Sequence, residues 1–386
     1  MTTLFVPREI RVGERRVAAT PESAKKLVQA GLEVAIERGA GHEAGFPDAA
    51  FSAAGARLVD AATAWSSADI LFKVAPPTPE EAELPRSGAY LFALLDPHRN
   101  GELVERLAAR GVVLFAMELV PRTTRAQSMD VLSSQASISG YKAVLLAAGR
   151  LGKYFPQLMT AAGTIQPARV VVLGAGVAGL QALATARRLG AVVEVSDVRA
   201  AVKEQVESLG GRFIDLPQMP SAEGAGGYAK EVSREFLDQQ RAILTARIAA
   251  ADVVITTAQV PGKKAPVLLT RAMVEAMKPG AVVVDIAAAQ GGNCELTRAD
   301  EEVIHGGVRI LGPSNLPATL PADASLLYAR NLGNLLQLLW KDKVLSIPES
   351  DDVVMGTLLA RDGRFVHPAF AAASIPATAA AVSTLG

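Results

Sequence analysis

The chain has 386 residues, half of them hydrophobic, and its 39 basic and 39 acidic side chains give a formal net charge of zero. That length allows two domains with separate cores, and the charge balance implies no nucleic-acid or anionic-membrane partner. Cys294 is the only cysteine, no apolar run of about 18 residues suits a bilayer span, and the start lacks a signal-peptide core, so a reduced, cytoplasmic chain without direct membrane insertion is expected.

Thr3–Pro7 reads as a strand, followed by the charged stretch REIRVGERR. Pro21-Glu22-Ser23 opens a helix through Ala30, with Thr20 as its N-cap. Strands at Val34–Glu37, Arg57–Val59 and Ile70–Val74 alternate with helices at Asp48–Ala54 and Ala61–Ser66. Tyr90–Leu95 and Val112–Ala116 are further strands around a helix at Gly101–Arg110, and this alternation indicates a parallel sheet. Met117–Ser134 is a polar loop, MELVPRTTRAQSMDVLSS, which by composition alone would be solvated surface. A helix over Ser134–Leu151 then reads as an inter-domain connector.

Arg169–Leu173 is a β-branched apolar run, as a buried parallel strand should be. Gly174-Ala175-Gly176-Val177-Ala178-Gly179 follows at once, and Leu180–Leu189 continues at helical spacing. Strand, glycine turn and helix in that order form the dinucleotide-binding fingerprint. Gly174 allows the turn, Gly176 lets the backbone approach a pyrophosphate, and Gly179 lets the helix pack closely on the strand. The helix N-terminus offers N–H groups to the anion. Val192–Val195 is the next strand, ending at Asp197, where an acid about 20 residues beyond the turn would accept hydrogen bonds from an adenosine ribose. That carboxylate favours NAD(H) by repelling a 2′-phosphate. Arg199, two residues on, could pair with such a phosphate and points the other way.

Lys203–Leu209 is a helix and Arg212–Asp215 a strand. Leu216–Lys230 is a Gly-, Ala- and Pro-rich loop with Tyr228 its only aromatic residue; it reads as a mobile excursion or as a lid beside a cofactor crevice. A helix at Glu231–Ala250 precedes the strand Asp252–Thr257. That strand ends in Ala258-Gln259-Val260-Pro261-Gly262, at the sheet end where cofactors bind. Thr270–Met277 is a helix, and Ala281–Ile286 and Val308–Leu311 are strands. A helix at Ala322–Lys341 leads back toward the first domain, and Val353–Pro368 resembles a hairpin turning at Arg361-Asp362-Gly363. The layout is α/β: two Rossmann-like doubly wound parallel-sheet domains joined by long helices. Residues 135–325 form the NAD(H)-binding domain, inserted into a discontinuous first domain of residues 1–134 and 326–386.

His42, His98, His305 and His367 lie far apart without ligand spacing, so no metal site is expected. No nucleophile elbow or GxxxxGK[ST] motif appears. For redox chemistry the cofactor would carry the reaction and the protein its geometry.

Several stretches match one family across nearly the whole chain: RVAATPES at Arg16–Ser23, RAQSMDVLSSQ at Arg125–Gln135 and VLGAGVAGLQA at Val172–Ala182. SDVRAAVKEQVESLGG at Ser196–Gly211, GGYAKE at Gly226–Glu231 and NLPATLPADAS at Asn315–Ser325 continue the match. The chain resembles the NAD(H)-binding domain I of proton-translocating nicotinamide nucleotide transhydrogenase, in the split form where it is a separate alpha subunit. The resemblance implies direct hydride transfer between NADH here and NADP⁺ on a partner beta subunit. Separate membrane-spanning subunits would couple that transfer to proton movement and hold this chain at the cytoplasmic face of the inner membrane. It also implies a homodimer.

By the same resemblance, Arg122, Gln127, Asp130 and Ser133 hold the nicotinamide and its ribose, with Arg122, Gln127 and Asp130 in the catalytic role. Thr123, Thr124, Arg125, Ser128 and Met129 lie on the same cofactor loop. Gly174, Gly176, Val177, Ala178 and Gly179 take the pyrophosphate, and Asp197, Val198 and Arg199 the adenosine end. Tyr228 matches the tip of a loop that closes over the cofactor, and Gln240 and Gln259 fall at contact positions.

Alanine dehydrogenase shares this fold, but oxidising an amino acid moves a proton as well as a hydride and needs acid–base groups. That family carries a histidine near Tyr90–Leu95, where this chain has Phe92, and an aspartate where Ala289 precedes Gln290-Gly291-Gly292. Lys73 does match its substrate-binding lysine, or is an ordinary lysine at a strand end. A third reading is an NAD(H) sensor without turnover; a nicotinamide-facing loop would have no use in it.

Overall fold

In the computed structural model, residues 1–216, 234–260 and 262–371 are described. The chain divides into two compact units, residues 1–134 with 321–386 and residues 135–320.

The first unit is built on an eight-stranded sheet. Its parallel strands run, from one edge, Arg57–Val59, Glu33–Glu37, Thr3–Val6, Ile70–Phe72, Tyr90–Ala93 and Val113–Ala116. An antiparallel hairpin, Leu358–Arg361 with Arg364–Phe365, closes the other edge. Successive residues of a strand face opposite sides, and here both sides are buried. Leu4, Val6, Ile36, Phe72, Phe92 and Phe115 enter one core, and Phe5, Ala35, Leu71, Leu91 and Leu114 the other. In-register Phe72, Phe92 and Phe115 pack across three strands, Phe72 edge-on to Phe92 with ring centroids 5.4 Å apart and Phe92 stacked on Phe115 at 4.6 Å. Thr20 caps the helix Pro21–Gln29 through a capping box with Ser23, as its sequence suggests.

The end of the chain departs from its sequence reading. Residues Asp352–Thr357 form a helix, because the Asp351 carboxylate accepts the N–H groups of Val353 and Val354. Only Leu358 onward is hairpin, turning at Asp362-Gly363, both at positive φ. A local cap here overrides the β preference of two valines.

The second unit has a seven-stranded sheet in the order Arg212–Phe213, Val192–Ser196, Arg169–Leu173, Val253–Thr256, Val282–Asp285, Val308–Leu311, Glu302–His305. All pairs are parallel except the last, an edge strand that the sequence reading missed. Val170, Val172, Val253 and Ile255 pack on one face, and Val171, Leu173, Val254 and Val283 on the other. Strand order reverses between Arg169–Leu173 and Val253–Thr256, which opens a crevice at their carboxyl ends. Among the described residues, no helix is long and apolar enough to cross a membrane.

Glu118, in the turn Met117–Leu119 of the first unit, accepts the backbone N–H groups of Leu95, at 3.2 Å, and Asp96. Burial pushes its carboxyl up to about 7. The folded chain therefore keeps a proton that the unfolded chain has already lost above its ordinary carboxyl value of 4.5. Stability contributed by this group falls as pH rises from there to about 7. Glu118→Gln should flatten that fall in denaturant titrations at acidic and neutral pH. Equal slopes for the variant and the parent would rule this account out.

Candidate functional site: a dinucleotide cradle and a polar loop

The fingerprint of the second unit has the geometry its sequence demands. Gly174 adopts φ 107°, a conformation that glycine tolerates. The helix begins at Val177, three residues before the apolar periodicity, with Gly176 as N-cap and no side-chain cap among the described residues. Its first N–H groups are thus left for an anion. A Cβ placed on Gly176 would meet nothing within 4 Å among the described residues, whereas one on Gly179 would lie 1.8 Å from the Gly174 carbonyl oxygen. Space is therefore open above Gly176 and closed beneath Gly179, as a pyrophosphate cradle requires. Val177 is exposed, and the Ala178 carbonyl packs against Gly140, where a Cβ would come within 2.1 Å.

Asp197 stands at the end of the neighbouring strand with four donors already on its carboxylate. Ala175 N–H donates at 2.7 Å, Arg199 N–H at 2.8 Å and the Arg199 guanidinium twice at 2.9 Å. Burial alone would raise this carboxyl, but those hydrogen bonds outweigh it and hold it below its ordinary value. Arg199 is thereby engaged by the acid it was set against in the sequence reading, and Val198 beside them is exposed.

Across the crevice, the Thr257 hydroxyl lies 3.2 Å from the Gly174 carbonyl and 3.3 Å from that of Leu173. Gln259 donates through Nε2 to the Ile286 carbonyl at 3.1 Å. Gln240 lies on the helix Arg234–Ala250. Tyr228 falls outside the described residues. Two polar residues here went unnoticed in the sequence. Asp285, 0% exposed at the end of its strand, accepts from the hydroxyls of Thr256 and Thr297 and from the N–H groups of Ala287, Asn293 and Cys294. Asn293 is equally buried. The signal available was an acid closing the apolar run VVVD.

In the first unit, the polar loop holds a 3-10 helix at Thr124–Met129, and its residues separate into two groups. Arg122, Thr123, Thr124 and Gln127 are exposed, and the heads of Arg122 and Gln127 have no hydrogen bond or ion pair among the described residues. The others anchor. Arg125 clamps onto Asp351 and Asp352, at 3.0 Å and 2.6 Å from Nη1. Met129 enters the core, and the Ser128 carbonyl accepts from Asn331 and Asn334. Asp130 takes the N–H of Ser133 at 2.9 Å and its hydroxyl at 2.6 Å, an N-cap arrangement that starts the connecting helix at Val131 rather than Ser134.

The features that could serve amino-acid oxidation are otherwise engaged. Lys73 is 1% exposed, with Nζ 3.2 Å from Glu9 and 3.1 Å from Glu81. Two carboxylates of its own chain therefore neutralise it. Phe92 lies between Phe72, which meets it edge-on, and Phe115, which stacks on it. His42 and His98 are exposed, His305 pairs with Glu275 on an edge strand, and His367 packs on Phe370. No cluster of metal-ligating side chains occurs among the described residues.

Two family models match the chain: alanine dehydrogenase/PNT, N-terminal domain, over residues 5–139, and alanine dehydrogenase/PNT, C-terminal domain, over residues 143–368. The chain is 50% identical over 376 residues to the first of the split NAD(P) transhydrogenase alpha subunits of Rhodospirillum rubrum, covering 95% of this chain and 98% of that one. The crystal structure of transhydrogenase from Sinorhizobium meliloti superposes with a TM-score of 0.86 at 45% identity, over 94% of this chain and 100% of that one. Alanine dehydrogenase of Halomonas elongata is more distant, 32% identical over 96% of each chain. The chain belongs to the alanine dehydrogenase/PNT family, and within it stands nearer to the transhydrogenase alpha subunits than to the alanine dehydrogenases.

Proposed function

We propose that this chain is the NAD(H)-binding alpha subunit of a proton-translocating NAD(P) transhydrogenase. Hydride passes directly between NADH held here and NADP⁺ held on a beta subunit, and membrane-spanning subunits couple that transfer to proton movement. Working as a homodimer, the chain sits at the cytoplasmic face of the membrane through those partners. The observation that carries this reading is the open cradle above Gly176, with an uncapped helix N-terminus beside it and Asp197 at the adjacent strand end.

Bound NADH supplies the hydride from C4 of its nicotinamide. The protein's part is binding and orientation. The N–H groups at the start of the helix Val177–Arg188 hold the pyrophosphate, and Asp197 with Arg199 holds the adenosine end. Arg122, Gln127, Asp130 and Ser133 hold the nicotinamide and its ribose, Gln127 through its carboxamide. Arg125 keeps the loop in shape through Asp351 and Asp352, and Tyr228 closes over the cofactor. Transfer between two nicotinamides needs apposition of their C4 atoms and no acid or base. The burial of Lys73 between Glu9 and Glu81 favours this reading over amino-acid oxidation.

The test is transfer from C4-deuterated NADH to NADP⁺, with and without an NADP-binding transhydrogenase domain. Deuterium on NADPH only when both proteins are present is the expected result. Tight NADH binding without transfer to an active partner would leave the sensor reading instead.

A further inference from the structure

Asp285 and Asn293 form a buried polar hub at the end of the second unit's sheet. A wholly buried carboxylate is costly unless its oxygens are satisfied. Asp285 meets that cost with five donors rather than a cation, and two of these, the N–H groups of Asn293 and Cys294 at 2.7 Å and 2.9 Å, fix the segment after Gly292. The Asn293 side chain is thereby aimed across to the neighbouring strand end. Its Oδ1 accepts from Ala258 N–H at 3.0 Å, and its Nδ2 donates to the carbonyls of Ala258 at 2.8 Å and Pro266 at 2.7 Å. Thr257, next to Ala258, meets the Gly174 carbonyl through its hydroxyl. That same carbonyl oxygen is the atom lying 1.8 Å from where a Gly179 Cβ would be. An unbroken chain of hydrogen bonds and close packing therefore runs from Asp285 through Asn293 and Thr257 to the glycine turn.

We propose that Asn293, held by Asp285, is a positioning residue for the dinucleotide: through Ala258 and Thr257 it sets the Gly174 peptide and hence the cradle's width at the strand-order reversal. The proposal rests on the reading of this unit as NAD(H)-binding. None of these side chains needs to touch the cofactor; they fix the backbone that does. A sheet-end loop could be packed as well by apolar side chains, so the hub's location beside the crevice is what ties it to the ligand.

The test measures NADH affinity of the full chain for Asn293→Ala, Thr257→Val and Thr257→Ser. Thr257→Val removes the hydroxyl shared by the Leu173 and Gly174 carbonyls and should weaken NADH binding about five- to tenfold; Asn293→Ala removes three buried hydrogen bonds and should weaken it at least as much. Thr257→Ser, which keeps the hydroxyl, should return to within about twofold of the parent. With the NADP-binding partner, the loss should appear in KM for NADH, with kcat kept at saturation. If Asn293→Ala does not fold, the Thr257 pair decides. Parental affinity in Thr257→Val, or no rescue by serine, overturns the proposal. Failure of the parent chain itself to bind NADH would instead overturn the NAD(H) reading, and this proposal with it.

Discussion

Gln127→Asn is expected to leave NADH affinity within about twofold of the parent chain and to cut hydride transfer to partner-bound NADP⁺ on the order of 100-fold. The substitution keeps the carboxamide and withdraws it by one methylene. Gln127 is exposed and its side chain is hydrogen-bonded to nothing among the described residues, so folding has no stake in its carboxamide. On the proposed reading, affinity comes mainly from the pyrophosphate cradle and the adenosine end, which belong to the other unit. Transfer depends on where the nicotinamide ring stands, and a displacement of about 1 Å can cost 10²-fold. Stopped-flow transfer with the partner domain, beside equilibrium NADH binding, separates the two. A transfer rate unchanged by the substitution would refute the role assigned to Gln127. Arg125→Ala is the instructive contrast, because Arg125 is tied to Asp351 and Asp352 and its loss should act by loosening the loop.

The contrast between Gln127 and Arg125 also marks what the sequence could reveal. The unbroken apolar run along Arg169–Leu173 forecast a strand buried on both faces, because successive side chains point to opposite sides of a sheet and an apolar residue at every position needs cover on both. The glycine turn was equally legible, since a positive φ and a close approach of helix to strand each demand a residue without a side chain. Which polar residues of Arg122–Ser133 present their heads and which anchor the loop was not legible. Arg125 is decided by two aspartates more than 200 residues away, and Met129 by a core assembled from both ends of the chain. Asp285 and Asn293 escaped for the same reason: their partners are backbone groups of loops and the hydroxyls of Thr256 and Thr297, which only the folded sheet brings together. Residues Asp352–Thr357 misled in the opposite direction, their β-branched valines outweighed by a single aspartate cap.

Gly176→Ala and Gly179→Ala, one helical turn apart, are expected to fail in different ways. Gly176 has φ −77° and ψ −171°, an extended conformation open to alanine, and its new methyl would touch nothing among the described residues. Gly176→Ala should therefore melt like the parent chain. Its methyl projects into the cradle, however, and overpacking a bound pyrophosphate by one methyl costs about 1–3 kcal/mol, or roughly five- to 150-fold in NADH affinity. In Gly179→Ala the methyl meets the Gly174 carbonyl oxygen at 1.8 Å and its carbon at 2.9 Å, with the Thr257 hydroxyl 3.3 Å away. None of these is the end of a flexible side chain, so the turn and the helix must separate. That variant should lose melting temperature and NADH affinity together. Thermal melts with and without NADH distinguish the cases, because ligand stabilisation follows affinity. A Gly176→Ala chain that melts normally and still gains full stabilisation from NADH would show that the dinucleotide does not lie over this turn. That result would remove the observation on which the proposed function rests.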